Sequence, residues 1–131
     1  MEQIINSSYQ KDVLEWLEAF INALTSQKEI LLQQINSAKI TRENLPFSRF
    51  LSFAIDKSCP AYPHQVRMPC EIRVFSPNRA PIQILFHFKE GYLREIEVFR
   101  ADSSVLEPVV SLHGKKTEII MDEALKGKKD L

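Results

Sequence analysis

The chain has 131 residues, of which 44% are hydrophobic and 26% charged. This is the composition of one globular domain that buries a core without disulfide or metal support. Seventeen basic residues balance seventeen acidic ones, which argues against nucleic-acid binding. There is no bilayer-spanning apolar run and no signal-peptide pattern at the amino terminus. We therefore expect a single cytoplasmic domain over 1–131, with no membrane partner and with frayed ends at 1–9 and 126–131.

The first predicted element is an amphipathic helix over about residues 10–24. Its apolar residues recur at steps of three and four, the spacing of one helix face: Val13, Trp16, Leu17, Phe20, Ile21 and Leu24. Ser26 and Glu29 have the spacing of a capping box, in which the hydroxyl and the carboxylate satisfy opposite ends of a first helical turn. We therefore predict a second helix directly afterwards, and a helical hairpin.

From Ala38 onward the apolar period changes to two, which is typical of strands. Alternating runs predict three strands with breaks between them: strands at 38–42, 47–55 and 70–74, a break at Asn44–Pro46, a proline-rich loop at 56–69 and a turn at 76–81. Near the carboxyl end, Thr117 to Leu125 fits either a strand or a helical turn.

A β-hairpin is predicted around Gly91. A two-residue turn at Glu90-Gly91 would place Phe86 opposite Glu95 and bury the acid. We therefore predict a three-residue loop, Lys89-Glu90-Gly91, with these pairs: Phe88 with Tyr92, Ile84 with Ile96, and Ile82 with Val98. Glu95 and Glu97 then share the opposite face with five other residues: Gln83, Leu85, His87, Leu93 and Phe99.

These elements predict an α+β fold. The N-terminal helical hairpin packs on one face of a mainly antiparallel sheet of about five strands, connected as a meander. The other face can meet solvent or another protein. Because it mixes acids, a histidine and apolar groups, we expect that face either to be partly covered by another element or to bind a partner.

The chain offers little for catalysis or metal binding. Its three glycines form neither a nucleophile elbow nor a phosphate loop. The histidines (His64, His87 and His113) lack the helical spacing of metal ligands, and we expect Cys59 and Cys70 to be reduced, inert thiols. Glu95 and Glu97 lie about 7 Å apart along a strand, a separation that glycosidases use, but no aromatic cluster accompanies them. We expect no enzymatic activity, metal or cofactor.

One strand carries a family resemblance. A helical LLQQI segment leads into the strand SAKITRE, and the later hairpin strand is GYLREIEVFRADSS, with Pro108 beyond it. This arrangement resembles bacterial immunity proteins encoded beside polymorphic toxins, including those of contact-dependent growth inhibition systems. The resemblance covers about residues 28–108, and its distinctive part consists of these residues: Gly91, Leu93, Glu95, Ile96, Glu97, Val98, Phe99 and Arg100.

The resemblance implies a non-enzymatic protein that binds a cognate toxin domain in the cytoplasm. Many such toxins are nucleases with basic clefts, which an acidic patch would attract. The candidate partner-binding residues are the acids of this region and the aromatic or arginine anchors beside them: Glu90, Tyr92, Arg94, Glu95, Glu97, Phe99, Asp102 and Tyr62. The alternative is a regulatory or small-molecule-binding α+β domain, with a pocket between helices and sheet near Trp16 and Phe53.

Overall fold

The computed structural model of the protein describes residues 10–44, 49–106 and 110–126. Two helices precede a six-stranded antiparallel sheet, and a short 3₁₀-helix follows: α1 (Gln10–Ala23), α2 (Lys28–Ser37), β1 (Lys39–Asn44), β2 (Arg49–Ala54), β3 (Cys70–Phe75), β4 (Ile82–Lys89), β5 (Tyr92–Arg100), β6 (Lys116–Ile120) and η1 (Glu123–Lys126). The α+β prediction is confirmed. The sixth strand comes from the ambiguous segment, whose first part is a strand and whose end is a 3₁₀-helix.

Two predictions fall largely on residues that are not described. The break at Asn44–Pro46 and the start of the second predicted strand lie outside the described residues at 45–48. The predicted frayed ends also lie outside them, except for Lys126, which is the last residue of η1.

Helix α1 presents its apolar face to the sheet, as its periodicity predicted. Trp16 and Phe20 are fully buried. The Phe20 ring stacks on Phe86 of β4 with centroids 4.6 Å apart, an arrangement that contributes about 1 kcal/mol beyond burial of the rings. Trp16 Nε1 donates to the Val110 carbonyl at 2.9 Å. Trp16 and Phe53 are therefore core residues, and the pocket that the alternative hypothesis places near them stays a prediction.

Helix α2 begins without the predicted capping box. Its N-cap is Gln27, in a left-handed conformation (φ 50°), and no side chain caps the helix. Ser26 therefore stands one residue too early for its hydroxyl to fill that role. The left-handed residue makes the sharp turn between the helices, so the helical hairpin is present although its predicted cap is wrong.

The buried amide of Gln34 ties α2 to the β4–β5 hairpin. Its Nε2 donates to the carbonyls of Pro60 and Gly91, at 3.0 and 2.9 Å, and its Oε1 accepts from the Leu93 N–H at 3.0 Å. Gln34 is 0% exposed, so these bonds satisfy a polar group that would be costly to bury alone.

The strand order is β1-β2-β5-β4-β3-β6. A simple meander is therefore wrong, because β5 lies between β2 and β4 and β6 pairs with β3 at the far side. This order places β4 and β5 in the middle of the sheet, so the hairpin that the sequence singled out is central rather than peripheral.

The predicted register of the hairpin is wrong. Glu90 and Gly91 both have positive φ, 55° and 86°, and form the two-residue turn that the sequence argument rejected. The pairs next to the turn are Lys89 with Tyr92 and Phe88 with Leu93, and His87 then pairs with Glu95. Arg94 is the extra residue of a β-bulge.

The bulge removes the burial of Glu95 beside Phe86, the conflict that favoured a three-residue loop in the sequence analysis. It turns Glu95 away from the core, and beyond it Phe86 pairs with Ile96 and Ile84 with Val98. Leu93 is consequently buried, 1% exposed, rather than sharing a face with Glu95 as predicted.

The two faces of the sheet differ sharply in accessibility. The covered face, against which both helices pack, carries side chains that are at most 4% exposed: Leu51, Phe53, Cys70, Ile72, Val74, Ile82, Ile84, Phe86, Leu93, Ile96 and Val98. On the opposite face of the four inner strands the described side chains are half-buried, except that Ala54 at the end of β2 and Lys89 at the end of β4 are exposed. The core therefore lies between the helices and one side of the sheet.

The proline-rich segment closes one end of this core. A Cβ at Gly91 would lie 2.8 Å from the Ala61 Cβ and 2.9 Å from the Tyr62 carbonyl oxygen, so the segment and the turn approach as closely as glycine permits. Asp122 holds the segment from the other side, accepting hydrogen bonds from the N–H groups of Arg67, Met68 and Ala124.

Candidate functional site

We define the open face as the side of the sheet opposite the helices. Hydrogen-bonded register arranges its side chains in three rows across the strands: Ser52, Glu95 and His87; Phe50, Glu97, Leu85, Glu71 and Ile120; and Phe99, Gln83, Arg73 and Glu118. Partly accessible apolar groups thus alternate with charged ones over the middle of the sheet. Such a mixture on a rigid platform suits protein binding better than simple solvation.

The charges of the open face are segregated. Toward β6, Arg73 forms ion pairs with Glu71 and Glu118, and Gln83 also donates to Glu71 at 2.9 Å. Toward β2, the carboxylates of Glu95 and Glu97 stand together. Glu95 and Glu97 therefore form the acidic part of β5, and beside them the single positive charge of Arg73 is shared between the carboxylates of Glu71 and Glu118.

Glu95, Glu97 and His87 form a compact cluster at the middle of the sheet. His87 lies opposite Glu95 in the β4–β5 ladder, and its Nε2 is 3.2 Å from Glu97 Oε1. One ligand atom from each of the three side chains lies within 4.8 Å of the other two. These are nitrogen and oxygen donors of the kind that bind divalent transition metals.

Burial and the neighbouring charges shift the pKa of Glu95 in the cluster. Burial raises the pKa of Glu95 above its ordinary value and the negative charge of Glu97 adds to this rise, while the positive charges of His87 and Arg42 oppose it. A carboxylate that is partly desolvated beside a second carboxylate favours a cation or a proton nearby.

No protein-family model, curated protein or solved structure matches the chain. The function must therefore be argued from its residues and geometry.

The eight candidate residues do not form one surface. Glu95, Glu97 and Phe99 lie on the open face. Arg94 occupies the bulge, with its guanidinium carbon 5.9 Å from the centroid of the Tyr92 ring, and the Tyr92 hydroxyl donates to the Cys59 carbonyl at 2.9 Å.

The other three candidates lie away from this surface. Glu90 is exposed in the turn. Asp102 is exposed beyond the end of β5, where hydrogen bonds from the Ser104 side chain and backbone lower its pKa. Tyr62 is 4% exposed and its hydroxyl donates to the Ala124 carbonyl at 2.8 Å. It is therefore a core residue, and its position does not support the predicted anchor role.

Tyr62 does form part of a separate groove at the turn end of the hairpin. This groove has a volume of about 400 Å³, and its lining combines aromatic, imidazole and acidic groups: Tyr62, Pro63, His64, Gln65, Val66, Phe88, Glu90 and Gly91. A second hollow of about 520 Å³ is lined by Ser37, Lys39, Ala54, Ile55 and Asp56, and neither Trp16 nor Phe53 lines either of the two.

Two features of the site were missed in the sequence. Helical ligand spacing gives no prediction for His87, because His87 lies on a strand and the β4–β5 ladder places it opposite Glu95. Gln34 lies three residues after Leu31 and next to Ile35, on the buried stripe of α2, so helical spacing could have distinguished it from the exposed Gln33. No described helix is both long enough and apolar enough to cross a membrane.

Proposed function

We propose that this chain is an immunity protein that binds a cognate toxin domain, with a nuclease as the most suitable target, and neutralises it in the bacterial cytoplasm without chemistry of its own. The observation that carries the proposal is the open face. Both helices pack on the other side, and Leu85, Phe99 and Phe50 remain partly accessible between charged side chains. The resemblance of the β5 strand to immunity proteins supports the same function.

The dimensions of the open face suit an interface. Six strands spaced by about 4.8 Å and roughly 20–30 Å long give an area of roughly 500–700 Å². A standard interface buries about 800 Å² on each partner. The face therefore supplies most of the required area, and its rim, including Glu90, can supply the rest.

The charge pattern suits a basic target. Glu95 and Glu97 would steer a cationic cleft toward the sheet and raise the association rate. The half-buried Phe99 and Leu85 beside them would provide the desolvated contacts that slow dissociation. The partner would be blocked because the rigid sheet covers the surface that its substrate needs.

The test uses the C-terminal domain of the polypeptide encoded immediately upstream of this chain. We expect coexpression of the two to rescue bacterial growth and the purified proteins to bind tightly. In surface plasmon resonance at low salt, the double variant E95K/E97K should lower the association rate at least about tenfold, and the difference should shrink as salt is raised.

Two further variants separate charge from shape. E18K/E29K makes the same change in charge on exposed positions of the helices and should leave the association rate close to that of the wild type. Leu85→Arg places a bulky charge in the middle of the open face and should weaken binding mainly through faster dissociation. If E95K/E97K and Leu85→Arg both bind like the wild type, the open face is not the binding surface. Absence of binding and rescue would overturn the immunity function.

A further inference from the structure

We infer that His87, Glu95 and Glu97 bind a zinc ion on the open face. The three side chains present one nitrogen and two carboxylate donors, with ligand atoms that all lie within 4.8 Å of one another. Two ligands on one tetrahedral zinc stand roughly 3.4 Å apart, given metal–ligand bonds of about 2.0–2.2 Å. The 3.2 Å between His87 Nε2 and Glu97 Oε1 is already near this value, and closing the wider separations requires only small side-chain rotations.

The backbone makes this arrangement rigid. His87 and Glu95 are direct partners in the β4–β5 ladder, and Glu97 lies two residues along the same face. Both strands are flanked by further strands, β3 beside β4 and β2 beside β5. Ligands on paired central strands are held with less freedom than ligands on loops, which lowers the entropy cost of binding an ion.

The bulge at Arg94 is what creates the cluster. If Arg94 were an ordinary strand residue rather than a bulge, Leu93 and Glu95 would lie on the same face, and burying Leu93 would turn Glu95 toward the core. The bulge lets Leu93 and Ile96 both pack on the covered face while Glu95 stands opposite His87. Bulges commonly redirect a side chain in this way beside functional sites.

The local charges favour a cation between the acids. Two carboxylates share the site, and Glu95 is partly desolvated. The neighbouring positive charges are His87, within the cluster, and Arg42 on β1, whose guanidinium carbon is also 5.7 Å from the centroid of the Phe50 ring. In the zinc-bound state the neutral imidazole of His87 binds the ion, and the two positive charges of the ion lie beside both carboxylates.

The donor set favours zinc over the common hard cations. Calcium requires six to eight oxygen ligands, and magnesium prefers an octahedral oxygen shell with several waters. One imidazole and two carboxylates suit zinc, which takes three protein ligands and leaves a fourth position open. His87 and Glu97 are 35% and 36% exposed, so an ion can enter from solution and its fourth position faces outward.

The test is titration of the full chain with zinc and cobalt. We expect isothermal titration calorimetry to show one zinc ion per chain, cobalt to give the visible absorption of a four-coordinate site, and zinc but not magnesium to raise the melting temperature. His87→Asn and Glu97→Gln should each weaken zinc binding at least about tenfold. Both substitutions lie on the partly accessible face, and circular dichroism verifies that the variants fold.

Matched controls distinguish this cluster from other metal-binding groups. His113→Asn and Glu118→Gln change the same residue types at exposed positions and should leave zinc binding unchanged. Zinc binding that persists in His87→Asn and Glu97→Gln would place the ion elsewhere and overturn the assignment. The absence of both a calorimetric signal and cobalt absorption would also overturn it, leaving His87 and Glu97 as an ion pair only. Because a bound zinc ion would cancel the negative charges of Glu95 and Glu97, the toxin-binding measurements are made on metal-free protein. Neither zinc result depends on whether a toxin binds.

Discussion

Replacing Gln34 by leucine tests whether one buried amide holds the helices to the sheet. The substitution keeps the size of the side chain and removes its three hydrogen bonds, to Leu93, Gly91 and Pro60. The Leu93 N–H would become a buried donor without a partner, which costs about 1–3 kcal/mol. The Gly91 carbonyl would keep its bond from the Tyr62 N–H, and water can reach exposed Pro60, so each of these losses adds only about 0.5–1 kcal/mol.

The expected loss of unfolding free energy is therefore roughly 2–5 kcal/mol, a large part of the 5–15 kcal/mol typical of a domain. With a urea m-value of about 2 kcal/mol per molar, the middle of the usual range, the midpoint should fall by about 1–2.5 M. The fluorescence of Trp16, the single tryptophan and fully buried, reports the transition. Gln33→Leu is the matched control, because Gln33 is exposed and should change stability by less than about 0.5 kcal/mol. Equal midpoints for the two variants would refute the role of the amide.

Three further predictions concern stability and folding. Gly91→Ala should lower the unfolding free energy by about 2–4 kcal/mol, because the new side chain meets both a positive φ and the proline-rich segment. Gly114 also has a positive φ, but the space around it is open, so Gly114→Ala should lower the unfolding free energy by only about 1 kcal/mol. Burial raises the pKa of Asp122, but the hydrogen bonds that it accepts from backbone N–H groups outweigh burial and lower the pKa overall. The contribution of Asp122 to the unfolding free energy should therefore be complete above pH about 4 and disappear as the pH falls further. The loss of unfolding free energy in Asp122→Asn at pH 7 should accordingly shrink toward pH 2–3. A pH-independent deficit would contradict this. Deletion of Arg94 should leave a folded protein, because it removes the bulge without exchanging the faces of β5. Deletion of Glu97 should prevent folding, because it moves every later residue of the strand to the wrong face. Circular dichroism and cooperative melting distinguish the two outcomes.

The sequence predicts most of the element types because those depend on local periodicity. Helix α1 follows from steps of three and four, and the central strands follow from alternation. The start of α2 could not be predicted in the same way. Ser26 and Glu29 fit a capping pattern, but the tight connection to α1 places a left-handed residue at Gln27 and moves the helix start by one position. Tertiary geometry overrides a local preference of about 1 kcal/mol.

Tyr62 shows the same limit for a candidate binding residue. An aromatic residue in a proline-rich loop is a reasonable candidate for an exposed residue that binds a partner. Its burial is decided by contacts far away in the chain, with the Gly91 carbonyl accepting its N–H and the Ala124 carbonyl accepting its hydroxyl. Neither partner is recognisable from the segment around Tyr62, and a single sequence gives no means of finding them.

The hairpin register explains why the site was only half predictable. A regular two-residue hairpin would bury Glu95 beside Phe86, and the predicted three-residue loop removes that conflict by shifting the register. The protein removes it by inserting Arg94 into the strand. Both solutions place Glu95 and Glu97 on the open face, which is why that part of the prediction agrees with the structure. They differ in which residue of β4 stands opposite Glu95. The longer loop would put Leu85 there, whereas the bulge puts His87 there. The acidic surface thus follows from alternation alone, but the cluster of a histidine with two carboxylates depends on one irregular residue, and only the register reveals it.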